Sequence, residues 1–179
     1  GMPSDWAIRP APYDAAAALK AKVTLVEQHA LGGDCLHTGC VPSKALIRAA
    51  RAMAEVQRAG DFGIRVDGAR VDFAAVMDRV QQVVARIAPH DSVERYTALG
   101  VDVALGRARI VSPWQVEITA ADGTQRLLAI RAIVVAAGAG PALPAIPGID
   151  QVAPRTSDTI WQLRQPPGRP LPFPLRSPQ

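Results

Sequence analysis

The sequence predicts an α/β fold: an incomplete, mostly parallel sheet with helices, carrying a small antiparallel β insertion. Three observations predict it. A short apolar strand pattern that ends in an acid, Val23-Thr24-Leu25-Val26-Glu27, precedes two stretches of good helix formers. After Gly100 the pattern switches to four strand-like segments in quick succession. A continuous apolar run, Ile133-Val134-Val135-Ala136-Ala137, then meets Gly138, as in a fully buried strand entering a tight turn. The 179 residues are enough for one domain, and 49% hydrophobic against 20% charged residues excludes a wholly disordered chain.

The elements follow in order. Residues 1–14, with Pro3, Pro10 and Pro12, read as irregular, and Ala15 to Lys22 as one or two turns of helix. The buried strand Val23 to Glu27 comes next, then a segment rich in Gly and Cys from Gly32 to Cys40. Pro42 opens a helix, because its missing N–H costs nothing in a first turn. Ser43 to Ala59 continues it, with Gly60 as the C-cap. Phe73, Val76, Met77, Val80, Val83, Val84 and Ile87 recur at three- and four-residue steps and mark one face of a second helix. Pro89 interrupts it, and Asp91 or Ser92 caps a short continuation through Tyr96 and Leu99. Strands are expected at Val101–Leu105, Arg107–Val111, Gln115–Thr119 and Gln125–Ile130, with a hairpin at Asp122-Gly123. From Gln165 the prolines remove backbone donors and leave an extended or disordered tail.

Composition excludes several classes. The net charge is +4, but the basic residues are scattered among Asp and Glu, and aromatics are only 4%. That argues against nucleic-acid binding. No apolar run approaches the ~18 residues that span a bilayer, and the N-terminus has no secretory pattern. The expected location is cytoplasmic. In a reducing compartment the two cysteines point to catalysis or metal binding rather than to a structural disulfide.

The informative segment is Leu31-Gly32-Gly33-Asp34-Cys35-Leu36-His37-Thr38-Gly39-Cys40-Val41-Pro42-Ser43-Lys44. On a regular helix, positions five apart have Cα atoms about 8.6 Å apart. A disulfide needs roughly 4.4–6.8 Å. The pair can therefore bridge only where the helix is broken, which Gly32, Gly33 and Gly39 allow. Cys40 falls at the threshold of a helix, where unpaired N–H groups and the helix dipole stabilise a thiolate. Cys35 lies outside on the loop. Such an asymmetric dithiol suits reversible two-electron chemistry. The alternatives are a pair of inert buried thiols, a zinc site with His37 and His29, and a structural disulfide.

Residues 32–44 closely resemble the redox-active disulfide motif of the class I pyridine nucleotide-disulfide oxidoreductases, the flavin-dependent family of dihydrolipoamide dehydrogenase, glutathione reductase and mercuric reductase. The likeness extends to His90–Tyr96, to Ala136–Gly148 and to Thr156–Trp161, which look like the mercuric reductase-like branch. The resemblance implies an FAD-binding, Rossmann-like domain and an NAD(P)H-linked oxidoreductase. It implies that Cys35 is the interchange thiol that meets substrate and that Cys40 contacts the flavin, with Lys44 near the flavin ring. Glu27 matches the acid that binds the adenosine ribose of FAD. Gly32 and Gly33 would let backbone approach the cofactor, and Ala137-Gly138 falls at a cofactor-contacting turn where the family has Thr-Gly. The implied partners are a small-molecule or protein disulfide, or a metal ion, and the family is homodimeric.

The chain departs from the family pattern. A Gly-rich turn should cradle the FAD diphosphate, yet after Gly1 the next glycine is Gly32. The Pro-rich stretch from 165 stands where an NAD(P)-binding domain is expected, and the dimer domain with its acid–base His–Glu pair has no counterpart. The expected organisation is thus an irregular 1–14 in place of the first strand and Gly-rich loop, a partial FAD-binding domain over 15–164, and a Pro-rich tail over 165–179. A truncated form that is inactive alone is the leading expectation. A non-catalytic dithiol module that binds metals or thiols, and a non-functional remnant, are the alternatives.

Overall fold

β1 (Thr24–Glu27) pairs in parallel with β2 (Asp102–Leu105), and the crossover between them is helical, as a parallel pair requires. A computed structural model of the chain describes residues 21–168. The irregular segment expected over 1–14, the helical turns expected from Ala15 and most of the Pro-rich tail lie outside these residues. The crossover runs through α1 (Gly33–His37), α2 (Cys40–Gln57), α3 (Phe73–Ile87) and α4 (Val93–Ala98). β3 (Arg107–Ser112), β4 (Gln115–Thr119) and β5 (Gln125–Ala129) follow as an antiparallel sheet in the order β3-β4-β5. The fold is therefore α/β with a small antiparallel insertion.

The described residues divide into two compact units, one of residues 21–37 and 84–139, the other of 38–83 and 140–168. In the first unit the buried residues are Leu36 of α1, Tyr96 of α4, Val101 just ahead of β2, and Val116 and Ile118 of β4. Ser92 caps α4 by accepting from the Arg95 N–H, as the sequence leads one to expect. The Tyr96 hydroxyl donates to Asp91 Oδ1 at 2.7 Å, so the buried ring keeps its polar end satisfied. The Asp122-Gly123 turn closes β4 onto β5, with Gly123 at φ +84° and the Thr124 N–H bonded to Asp122 Oδ1.

In the second unit α2 buries Pro42 and Ala45, and α3 buries Met77 and Val80. The last two fall on the apolar face expected of α3. Each such burial contributes about 1.5–3 kcal/mol. The segment from Thr156 to Arg164 is held to α3 by polar contacts. Gln81 Nε2 donates to the Trp161 carbonyl at 3.4 Å, and Arg164 forms a two-point ion pair with Asp78.

Four expectations need correction. α2 starts at Cys40 rather than at Pro42, which sits inside the first turn, where its missing N–H is still harmless. Gly60 is not the C-cap: α2 ends at Arg58, a 3-10 turn covers Ala59–Phe62, and Gly63 at φ +73° makes the left-handed stop. The strand Val23 to Glu27 is half-buried rather than buried, because β2 is its one neighbour among the described residues. The run Ile133 to Gly138 forms no strand. Val134 and Val135 are 73% and 72% exposed, and an apolar run becomes a strand only when a neighbour supplies its ladder.

One electrostatic contact ties the two sheets of the first unit. Asp102 of β2 accepts from Arg126 Nη2 of β5 at 2.7 Å and from the Thr24 hydroxyl at 3.1 Å. The Arg126 hydrogen bond holds the Asp102 carboxyl below the ordinary Asp range; burial opposes it, while the Thr24 hydroxyl and the charges of Arg126 and Lys22 add to it. A depressed folded-state value stabilises the fold above the unfolded value, and that stability is lost as pH falls through the folded one. Asp102→Asn is therefore expected to flatten the acid limb of a urea-denaturation series below about pH 4. The side chains of Arg126 and Asp102 are 50% and 40% exposed, so the effect at neutral pH is at most about 1 kcal/mol.

Candidate active site

The dithiol segment is built on a loop that only a few residue types could close. Beyond β1 the Glu27 carboxylate accepts from the His29 N–H at 2.8 Å, which turns the chain at the strand's end. Gly32 stands at φ +90°, and a Cβ there would lie 2.4 Å from Leu36 Cδ2 and 2.7 Å from Leu36 Cβ. Leu36 is buried, so it cannot yield, and glycine is required on both counts. The His37 ring donates from Nε2 to the Leu31 carbonyl at 2.9 Å and clamps the loop's two ends. Among the described residues no three His, Cys, Asp or Glu side chains converge to hold a metal ion.

Cys35 lies in the five-residue helix α1, and Cys40 is the first residue of α2. Thr38 and Gly39 interrupt the two, with Gly39 at φ −120° and ψ −106°. A regular helix does not run from one cysteine to the other, which removes the geometric bar to a disulfide. Both cysteines are thiols in the structure and both are exposed. That overturns the reading of inert buried thiols. α2 begins firmly at Cys40: the Ser43 N–H bonds the Gly39 carbonyl at 3.1 Å, and the Ser43 hydroxyl bonds the Cys40 carbonyl at 3.2 Å. Lys44, exposed, follows Cys40 by one helical turn and so shares its face of α2.

The remaining expected site residues fall in two places. Gly138 stands at φ +68° in a stretch without regular structure, and a Cβ on it would stand 3.4 Å from Asp34 Oδ2. The structure thus brings Gly138 to the acid that precedes Cys35. Sequence reading passed over Asp34; its signal was an acid in the first turn of a helix. Gly33, at φ +51°, faces open space. Glu27, half-buried, ends β1 where the ladder continues through the Gly106 N–H to the Glu27 carbonyl at 2.8 Å. Beside it opens a cleft of about 680 Å³ lined by Gln28, His29, Leu105, Gly106, Arg107 and Thr119 among others. A Cβ on Gly106 would lie 2.5 Å from the Thr119 carbonyl oxygen, so backbone lines the cleft there at the closest possible approach. These lining residues carry no motif of their own; the cleft exists because β1 and β2 end side by side.

An FAD would need a place for its adenosine and a place for its diphosphate. The cleft at the carboxyl ends of two parallel strands, with an acid ending the first, would be the place for the adenosine. The diphosphate has no matching turn among the described residues. It needs backbone N–H groups at a Gly-rich turn, and residues 2–31 contain no glycine.

Comparisons with known proteins extend the geometry. The family model described as pyridine nucleotide-disulphide oxidoreductase matches residues 10–169. A mercuric reductase of Bacillus cereus is 30% identical over 86% of the chain, and a dihydrolipoyl dehydrogenase of Bacillus subtilis is 32% identical over 84% of it. The chain spans only 24% and 33% of those two proteins. The crystal structure of LpdA from Mycobacterium tuberculosis superposes with a TM-score of 0.69 at 23% identity, covering 86% of this chain and 35% of that one.

Proposed function

The chain belongs to the pyridine nucleotide-disulphide oxidoreductase family, and on that premise we propose that Cys35 and Cys40 form a redox-active dithiol of the disulfide- or mercuric-ion-reductase type. The observation that carries the proposal is the broken helix between two exposed thiols, with the second at the start of an 18-residue helix. The first N–H groups of that helix face whatever negative charge Cys40 carries. The exchange then balances as follows. The Cys35 thiolate attacks one sulfur of a substrate disulfide, forming a mixed disulfide and releasing the other sulfur as a thiolate. The Cys40 thiolate attacks Cys35 Sγ, releases the second substrate thiol and leaves a Cys35–Cys40 disulfide. The substrate gains two electrons and the dithiol loses them. Lys44 stands one helical turn beyond Cys40, on the same face of α2.

Returning the disulfide to the dithiol is the chemistry that FAD and NAD(P)H would supply. With no glycine turn to receive the diphosphate, the reading for this chain is a single two-electron exchange rather than turnover with NAD(P)H. The partners are a small-molecule or protein disulfide, or a thiol-seeking metal ion. The exposure of both thiols also supports the plainer reading of a dithiol module that binds such a metal without catalysis. Among the described residues no helix is long and apolar enough to cross a membrane.

Bound flavin in freshly purified protein separates the two outcomes. The expected result is a substoichiometric visible flavin absorbance, no NAD(P)H oxidation, and stoichiometric release of thiol from a model disulfide. Tight, stoichiometric FAD would refute the diphosphate argument, and unreactive cysteines would refute the dithiol.

A further inference from the structure

Trp161, far away in sequence, is bonded through its side chain to the backbone of the dithiol segment. Its indole Nε1 donates to the Thr38 carbonyl at 2.9 Å, across 123 residues. Thr38 opens the two-residue break that precedes Cys40. Both residues of this bond are half-buried, so water competes poorly for the carbonyl. The segment that carries Trp161 is itself anchored. Gln81 donates to the Trp161 carbonyl, and Arg164 pairs with Asp78, both from one side of α3. Within the segment the Thr156 N–H bonds Thr159 Oγ1 at 3.0 Å, and the Ile160 N–H bonds the Thr156 carbonyl at 3.0 Å. The indole is thus held by its own turn and by α3, and it holds the backbone just ahead of Cys40.

A carbonyl at this position has no reason to be bonded by the helix. It lies ahead of α2, whose ladder starts with the Gly39 carbonyl accepting from Ser43. Gly39 has no Cβ to restrict the Thr38–Gly39 link, and the Trp161 N–H narrows the conformations the link samples. The second exchange step is intramolecular, so its rate and the stability of its product scale with the effective concentration of Cys40 Sγ at the Cys35 sulfur. Freedom in the link lowers that concentration.

From this geometry we propose that Trp161 is a positioning residue for the dithiol: its N–H fixes the Thr38–Gly39 link and so sets how stable the Cys35–Cys40 disulfide is. The proposal rests on the dithiol reading above and adds to it a determinant of the redox equilibrium that lies in neither cysteine's neighbourhood in sequence.

The test is the equilibrium of the full-length chain with glutathione redox buffers, read by mass spectrometry after thiol alkylation, beside a thermal melt of each variant. Trp161→Phe keeps a ring in place and removes the donor. It is expected to make the disulfide about tenfold easier to reduce, a rise of ~30 mV for a two-electron couple. Trp161→His, which retains a ring N–H, is expected to recover part of that shift. Equal shifts in the two variants, or a lowered melting temperature with the parent's redox equilibrium, would overturn the proposal in favour of simple packing. If Trp161→Phe does not fold, the double variant Gln81→Leu/Arg164→Ala decides instead. It loosens the anchoring segment at two exposed contacts, and a redox equilibrium equal to the parent's would sink the proposal. A parent chain that forms no Cys35–Cys40 disulfide at all would overturn the dithiol reading and this inference together; a parent that forms it alongside an unchanged Trp161→Phe overturns this inference alone.

Discussion

Cys40→Ser is expected to stop the exchange halfway. With Cys35 intact the chain still attacks a substrate disulfide, but no second thiolate remains to resolve the mixed disulfide. The protein should release one thiol per chain instead of two and accumulate as a stable adduct on Cys35. Cys35→Ser is expected to form no such adduct if Cys40 serves only as the resolving thiol. Intact-mass spectrometry after reaction with a model disulfide reads both outcomes directly. The asymmetry has a structural reason: Cys40 is locked into the first turn of α2 by the Ser43 contacts, whereas Cys35 sits in a single turn of helix set off by Thr38 and Gly39. An adduct that forms equally on either cysteine would remove the division of roles. The exchange should also quicken as pH rises, because the attacking species is the thiolate.

Tyr96→Ala is expected to cause the largest loss of stability. Tyr96 is 1% exposed and among the bulkiest fully buried side chains of the described residues. Removing an aromatic ring from a core costs ~3–5 kcal/mol, a large part of the ~5–15 kcal/mol that separates a typical domain from its unfolded state. Tyr96→Phe keeps the ring and loses the bond to Asp91, which leaves the carboxylate without that donor and costs about 1 kcal/mol. Urea-denaturation midpoints for the two variants should therefore separate widely. If alanine and phenylalanine cost the same, the ring does not carry the core of the first unit.

Much of the fold was readable in local pattern. The apolar steps of Phe73 to Ile87 describe α3 at its observed bounds, because one face must be buried and 3.6 residues make a turn. Ser92 as a cap and Asp122-Gly123 as a hairpin follow from single-residue chemistry, and the structure contains both. Pro42 misled at the start of α2, since proline is tolerated anywhere in the first turn and so does not mark its first residue. Ile133 to Gly138 misled more seriously. Its composition suits a buried strand, but composition states only what a segment could do if a neighbour were present.

The site divides in the same way. Gly32, Gly33, Cys35, Gly39, Cys40, Pro42 and Lys44 are contiguous enough for the dithiol motif to stand out as a string of letters. What that string determines by itself is a chemistry: two sulfurs near a helix start, in a family whose members pass electrons through such pairs. Only the tertiary structure decided that the helix breaks at Thr38-Gly39 and starts at Cys40, that Gly138 meets Asp34, that β1 and β2 end on a common cleft, and that an indole from residue 161 grips the Thr38 carbonyl. The physical reason is range. Turn, cap and periodicity preferences act within a few residues of their cause, whereas a backbone carbonyl takes its partner from whichever chain segment packing brings beside it.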